Sequence, residues 1–371
     1  MLNEFVRKAA YHVGTRLVRF GLGTAATVPA PKGLPALSTQ PEPGGPDDSQ
    51  RIEQELTRYK TVENVHDLPQ IFHFWSLRYV QPKLEAVFGI IRINEFYVKY
   101  ILKYHQEHPG EHVRIASIGA GNADIEVQIA HMLRQRGLSD FTFYCIDING
   151  SMLERGREMA AREGLGDHFE FVQSDAARWA PGQPISVVMA HHSLHHIPNL
   201  EEVFASVTRA IGSKGYFLTC DMIGRNGHMR WPEALTIIHD IWREMPDRYK
   251  YNHQLNRFEP LYENWDCSGE GFEGVRAQDI LPILVREFHF ESFVAYGNLP
   301  DIFVDRGFGH NFDEKSTEDQ QFIDRIGALN DQLITEGKLK PTQMMAAMRT
   351  VRSDDRVFWK NWSPEFCVRR P

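Results

Sequence analysis

The chain has 371 residues, is 42% hydrophobic and 24% charged, and carries a formal net charge of -8. That is enough apolar material for one large domain with additions, and the acidic balance excludes a general nucleic-acid binder, whose footprint is basic. The four cysteines, Cys145, Cys220, Cys267 and Cys367, stand far apart with no CxxC pair, so reduced cytosolic thiols are expected rather than disulfides or a zinc site.

Residues 1–22 place Leu2, Phe5, Val6, Ala9, Val13, Leu17 and Phe20 at near-helical spacing, with Arg7, Lys8, Arg16 and Arg19 elsewhere. Arg16 and Arg19 interrupt the apolar core that a secretion signal needs. The segment reads first as a helix docked on its own domain or an arm, and second as a basic amphipathic helix lying on a membrane surface. No stretch approaches the ~20 apolar residues of a membrane span. The expected location is cytoplasmic, with residues 1–22 the point of any peripheral membrane contact. Residues 24–50 are rich in Pro, Gly and Ser and read as a linker, so residues 1–50 form one arm-plus-linker unit. Residues 51–110 read as a helical cap, with five aromatics packed around a proline in "FHFWSLRYVQPKLEAVFG".

From residue 113 apolar runs alternate with helical patterns. Strands are expected at 113–118, 141–147, 168–172, 185–190 and 215–221, which implies a parallel sheet built from βαβ units. The first strand runs into "GAGNAD", a glycine turn opening a helix, in the manner of a dinucleotide-type site. At the place where such a site usually wants a small third residue stands Asp124. A carboxylate there suits the helix dipole but repels pyrophosphate, so the ligand should lack phosphates. The second strand ends in Asp147, 26 residues after Gly121, at the distance where an acid bonds ribose hydroxyls; the plainer reading is a helix cap. Ile148 and Met152 are placed to flank an adenine ring. Asp175, after the third strand, is placed to accept from an adenine amino group, or to cap a helix. The carboxyl ends of such strands converge on one crevice.

The series "IASIGAGNAD", "CIDINGSML", "VQSDAARW", "ISVVMAHHSLHHIPNLEEVF" and "SKGYFLTCD" resembles the motif series of class I S-adenosylmethionine-dependent methyltransferases, in order and spacing over roughly residues 110–222. The resemblance implies an α/β fold, a doubly wound, mostly parallel seven-stranded sheet of Rossmann-like form. S-adenosylmethionine is the implied cofactor: Gly119, Ala120 and Gly121 would meet its methionine part, Asp147 its ribose, and Asp175 with Ala176 its adenine. A donor without phosphates also explains Asp124. Ala123 stands where the family often has a third glycine, and the acid that often opens the fourth strand is absent near Ser186. Strand candidates 287–296 and 301–306 match the family's last antiparallel pair. On this reading the methyltransferase domain spans 111–312, and residues 313–371, ending in a helix signal at "KPTQMMAAMRTV", form a C-terminal helical extension.

The segment "MAHHSLHHIPNLEE" sets His191 against His195 and His192 against His196 at helical i,i+4 spacing. Two histidines from one turn leave a third metal ligand unidentified, so no metal is assigned. The candidate catalytic residues are His191 and His195, with an imidazole as general base, and Asp221, which closes the fifth strand and is placed to orient an acceptor or His195. Residues 222–283 are too long for a crossover and read as a lid, with Trp231, Tyr249, Tyr251, Phe258, Tyr262 and Trp265 interleaved with polar residues. "DRGFGHNF", 305–312, reads as a second wall. The expected partner is a small-molecule acceptor, foremost the hydroxyl of a sugar or other polar metabolite. N- or C-methylation in natural-product or lipid-linked metabolism comes second. A donor-binding scaffold without catalysis and a dehydrogenase are the readings from other classes.

Overall fold

The computed structural model describes residues 68–269 and 271–370. The arm at 1–22, the linker at 24–50 and residues 51–67 of the expected helical cap fall outside the described residues. No helix among those described is long and apolar enough to cross a membrane.

Among the described residues three helices come first: α1 (Gln70–Tyr79), α2 (Gln81–Phe88) and α3 (Ile93–Glu107). Pro82 opens α2, where a missing N–H costs nothing, and Gly89 ends it in the left-handed conformation. Phe96, Tyr97, Val98, Tyr100 and Ile101 bury one side of α3. Lys83 of α2 is buried and pairs with Asp331 at 2.6 Å, which ties the helical cap to a helix far down the chain.

The apolar runs then alternate with helices. In order come β1 (Val113–Ile118), α4 (Asp124–Gln135), β2 (Phe141–Asp147), α5 (Gly150–Arg162), β3 (Phe169–Gln173), β4 (Val187–His191), α6 (Leu200–Ile211) and β5 (Tyr216–Met222). β1 pairs in parallel with both β2 and β4, β2 with β3, and β4 with β5. The register sets Ile118 beside Ile146 and Ala190, and His191 beside Cys220. The glycine turn, Asp147, His191 and Asp221 therefore emerge at one rim of the sheet.

Past β5 the insertion holds α7 (Pro232–Glu244), a two-residue hairpin of β6 (Tyr251–Asn252) and β7 (Arg257–Phe258), and α8 (Ala277–Glu287). Then follow β8 (His289–Tyr296), α9 (Leu299–Val304), α10 (Thr317–Thr335), β9 (Gln343–Arg349), β10 (Val357–Phe358) and α11 (Pro364–Cys367). Among the described residues the main sheet has eight strands in the order β10-β8-β9-β5-β4-β1-β2-β3, seven of full length plus the two-residue β10 at the edge. β9 alone runs antiparallel, wedged between β5 and β8.

This corrects two expectations. Residues 301–306 are not the antiparallel partner of 289–296; they lie largely in α9, which starts at a capping box of Asn298 and Asp301 with Pro300 in the first turn. The partner is β9, from the stretch read as a terminal helix. Residues 313–371 are thus not wholly helical: Met344–Met348 form a fully buried central strand. The four cysteines are buried free thiols.

Candidate active site

A cavity of about 1140 Å3 opens beyond the carboxyl ends of β1–β4. One side is the glycine turn. Gly119 has φ +68°, and a Cβ there would sit 2.5 Å from Cβ of Ser193, so only glycine fits. Ser193 in turn donates its hydroxyl to the Ile118 carbonyl at 2.7 Å, clamping the turn to the loop after β4. Asp147 joins two loops: Oδ2 accepts from the Gly121 N–H at 2.9 Å and Oδ1 from the Asn149 N–H at 2.8 Å. It does not cap α5. Asn149 does, accepting from the N–H groups of Ser151 and Met152. Asp175 is exposed and closes a turn rather than a helix, accepting from the Ala177 N–H at 2.9 Å. Gly119, Ala120, Gly121, Asp147, Ile148, Met152, Asp175 and Ala176 all line this cavity.

Glu126, which the sequence reading passed over, lines it too. Its carboxyl is buried in the first turn of α4 and accepts from the Ser117 hydroxyl at 2.5 Å. Burial pushes its pKa up to about 7, the Ser117 hydrogen bond opposing.

The other side holds the histidines, and here the helical expectation fails. His191 is the last residue of β4, while Leu194–His196 form a short 3-10 turn, so the i,i+4 pairs do not share a face. His192 bends the chain with φ +48°. His191 turns Nδ1 to the Tyr97 hydroxyl at 3.0 Å, a partner from α3 that nothing in the local sequence signals. His195 goes elsewhere. Its Nδ1 lies 2.6 Å from Oδ1 of Asp221 and its Nε2 lies 3.5 Å from Oε1 of Glu273. Asp221 is buried at the end of β5, with Oδ2 accepting the N–H groups of Ser193 and Leu194 at 2.9 and 2.8 Å. The placement of Asp221 against His195 is as the topology predicts.

Glu273 is the residue that sequence reasoning missed. It comes from the 222–283 insertion and also meets Nε2 of His228 at 2.8 Å. Burial alone would lower the His195 pKa, but Asp221 and then Glu273 outweigh it and hold the imidazole cationic well above its ordinary range. Burial would likewise raise both acids, yet His195 holds the Asp221 carboxyl low, and His195 with His228 hold Glu273 low. Burial keeps His228 below the ordinary imidazole value against the pull of Glu273. An imidazole fixed as a cation between two carboxylates is not a ready proton acceptor.

The insertion does wall the cavity, but only part of its aromatic set faces inward. Tyr262 and Trp265 line it. Trp231 stacks under Arg369 and Arg225, Tyr249 donates to Asp319, and Tyr251 and Phe258 are largely exposed. Arg306, Gly307 and Phe308 supply the second wall, whereas Asn311 braces the carbonyls of Tyr249 and Tyr251. The helical cap closes the far side with Phe72, Leu77, Leu84, Ile91 and Ile93.

Residues 110–261 match a family model described as a methyltransferase domain. The chain is 23% identical over 261 residues, 68% of its length and 95% of the relative's, to the ubiquinone/menaquinone biosynthesis C-methyltransferase UbiE of Shewanella baltica strain OS155. Among solved structures it resembles the O-methyltransferase from a trans-AT PKS multienzyme of Brevibacillus brevis in complex with S-adenosyl-L-homocysteine, at 11% identity and TM-score 0.41, covering 70% of this chain and 73% of that one. It also resembles a SAM-dependent methyltransferase of Thiobacillus denitrificans in complex with S-adenosyl-L-homocysteine, at 10% identity and TM-score 0.39, covering 77% of this chain and 100% of that one.

Proposed function

We propose that this chain, a member of the class I S-adenosylmethionine-dependent methyltransferase superfamily, methylates an amphiphilic small molecule that carries an ionisable hydroxyl. The donor lies along the glycine turn: Gly119, Ala120 and Gly121 meet its methionine part, Asp147 its ribose, and Ile148, Met152, Asp175 and Ala176 its adenine. The observation that carries the reading is that these residues and the His195–Glu273 cluster line one cavity. Donor and acceptor can therefore meet away from bulk water.

The lining narrows the acceptor. Phe72, Leu77, Ile91, Ile93, Leu255 and Phe308 offer an apolar bed, while Arg230, Asn252 and His228 gather polar atoms on the insertion side. An apolar body with an oxygen-bearing head fits that division better than a free sugar. The sulfonium methyl is already activated, so the protein's task is to align nucleophile, methyl and sulfur. The acceptor's electron pair forms the new bond to the methyl carbon as the carbon–sulfur bond breaks, S-adenosylhomocysteine leaves as a neutral thioether, and the acceptor's proton goes to solvent. Loss of that proton leaves the acceptor hydroxyl ionised. That charge makes both the oxygen and the carbon next to it nucleophilic, and the likeness to a C-methyltransferase favours carbon. Asp221 is a positioning residue, and His191, held by Tyr97, faces the cavity as part of its wall.

The test is release of S-adenosylhomocysteine across an acceptor panel of hydroxylated aromatic compounds with alkyl tails, the same compounds with the hydroxyl removed, and free sugars. Turnover confined to the hydroxylated amphiphiles is expected, with NMR of the product locating the methyl group. Equal turnover on sugars or on the dehydroxylated compounds would refute the acceptor reading.

A further inference from the structure

The reading of the sequence stopped short of a metal because the histidine turn offered no third ligand. The fold keeps one histidine of that turn, His195, and supplies two further ligands. Nε2 of His195, Nε2 of His228 and a carboxylate oxygen of Glu273 all lie within 4.8 Å of one another. Oε1 of Glu273 is 2.8 Å from the first imidazole nitrogen it meets, that of His228, and 3.5 Å from that of His195. Ligand atoms about 2.0–2.1 Å from a tetrahedral ion stand about 3.3 Å apart, so these two separations bracket the required one.

Two further features go beyond proximity. His195 is oriented from behind: its Nδ1 is fixed 2.6 Å from Asp221, and Asp221 is itself held by the N–H groups of Ser193 and Leu194. This is the carboxylate–histidine arrangement that sets the tautomer of a ligating imidazole and aims its other nitrogen at the metal. The three ligand-bearing segments are also stitched together through their backbones beside the side chains. Gly227 donates its N–H to the Gly274 carbonyl at 2.9 Å, and Val275 donates to the His195 carbonyl at 3.1 Å. The donor set is thus held by the fold, not by the chance approach of long side chains.

We propose that His195, His228 and Glu273 form a binding site for one divalent first-row transition ion, of the zinc or cobalt class, whose open positions face the acceptor side of the cavity. Two imidazoles and one carboxylate suit such ions and leave room for oxygen ligands. On this reading Nε2 of His195 is a ligand atom and not a base. An acceptor oxygen on that ion would lose its proton more easily. Metal binding is read without donor or acceptor, so it stands or falls apart from the acceptor reading above.

The experiment is isothermal titration of the chelator-treated, dialysed full chain with Zn2+ and with Co2+, the cobalt form also being followed by its visible absorption. One saturable equivalent is expected, with a d–d spectrum of low-coordinate cobalt. His228→Ala and Glu273→Gln should each weaken binding at least tenfold, with thermal melting showing that both variants stay folded. His112→Ala, at an exposed imidazole paired with Asp140, should bind as the parent does. No saturable binding by the parent chain would overturn the proposal, as would unchanged affinity in both ligand variants. If one ligand variant fails to fold, the other decides.

Discussion

Glu126 is a carboxylate kept in a place that disfavours its charge, and that should register as a pH-dependent cost. In the unfolded chain its pKa is the ordinary 4.5; in the fold, burial carries it to about 7. Below pH 4.5 both states hold the proton and the group contributes nothing. As pH rises from 4.5 to 7 the unfolded chain releases a proton that the folded chain keeps, so stability falls. Above 7 both states are ionised and the penalty is constant, about 3 kcal/mol. Glu126→Gln keeps the shape and an acceptor for the Ser117 hydroxyl but has nothing to titrate. Urea denaturation of both proteins at pH 5, 6, 7 and 8 should show the stability of Glu126→Gln relative to the parent rising across that range by about 2–3 kcal/mol. A difference that stays flat from pH 5 to 8 would mean that the carboxyl is solvated or paired, and the reasoning would be wrong.

Other expectations follow from the site and its supports. Gly119→Ala puts a methyl group 2.5 Å from the Ser193 Cβ at a φ of +68°; S-adenosylmethionine affinity should fall at least about tenfold, roughly 1.4 kcal/mol or more, by calorimetry, while the circular dichroism spectrum keeps its shape. Asp147→Ala removes the acceptor shared by the Gly121 and Asn149 N–H groups and should cost donor binding about 1–3 kcal/mol; unchanged affinity would contradict the ribose assignment. His195→Ala should cut turnover sharply while donor affinity stays within about twofold, since its side chain meets Asp221 and Glu273 and not the glycine turn; normal turnover would remove it from the chemistry. Asp331→Ala strands the buried Lys83 ammonium and should destabilise by about 2–3 kcal/mol, less than a fully enclosed pair because Asp331 is 31% exposed. Thermal melting reads that loss, and an unchanged transition would count against it.

The five parallel strands were legible because each is a short apolar run closed by Gly, Asp, Asn or His, and because order along the chain fixes which ends converge. From that convergence alone Asp221 could be set against His195. β9 was misread for a physical reason: Met344, Met345, Ala346, Ala347 and Met348 are buried on both sides, so no alternation marks them, and methionine and alanine favour helices when nothing else decides. α9 failed in the opposite sense, since Ile302, Phe303 and Val304 carry strand propensity in a helix that starts from its cap. The histidine spacing misled because helical geometry was assumed where a strand ends. Glu273 had no local signal. It reaches His195 through a loop whose position depends on Gly227 meeting Gly274, a contact between distant segments that no periodicity encodes. Nor does the sequence mark Glu126, whose place in a first helical turn looks like an ordinary complement to the dipole.

The wedged strand has a consequence for how this molecule comes into being. β5 and β8 do not touch; each pairs with β9, with Phe217 set beside Met348 and Phe290 beside that same residue. On a ribosome β5 emerges with one edge bare and β8 with both, long before residue 343 is made, and a bare apolar edge is a template for the wrong partner. Closure of the sheet is therefore a late, long-range event with a large loop to pay for in entropy. A chain ended at residue 312 would keep every motif of the donor site and still leave those edges open, so it should aggregate where the full chain stays in solution.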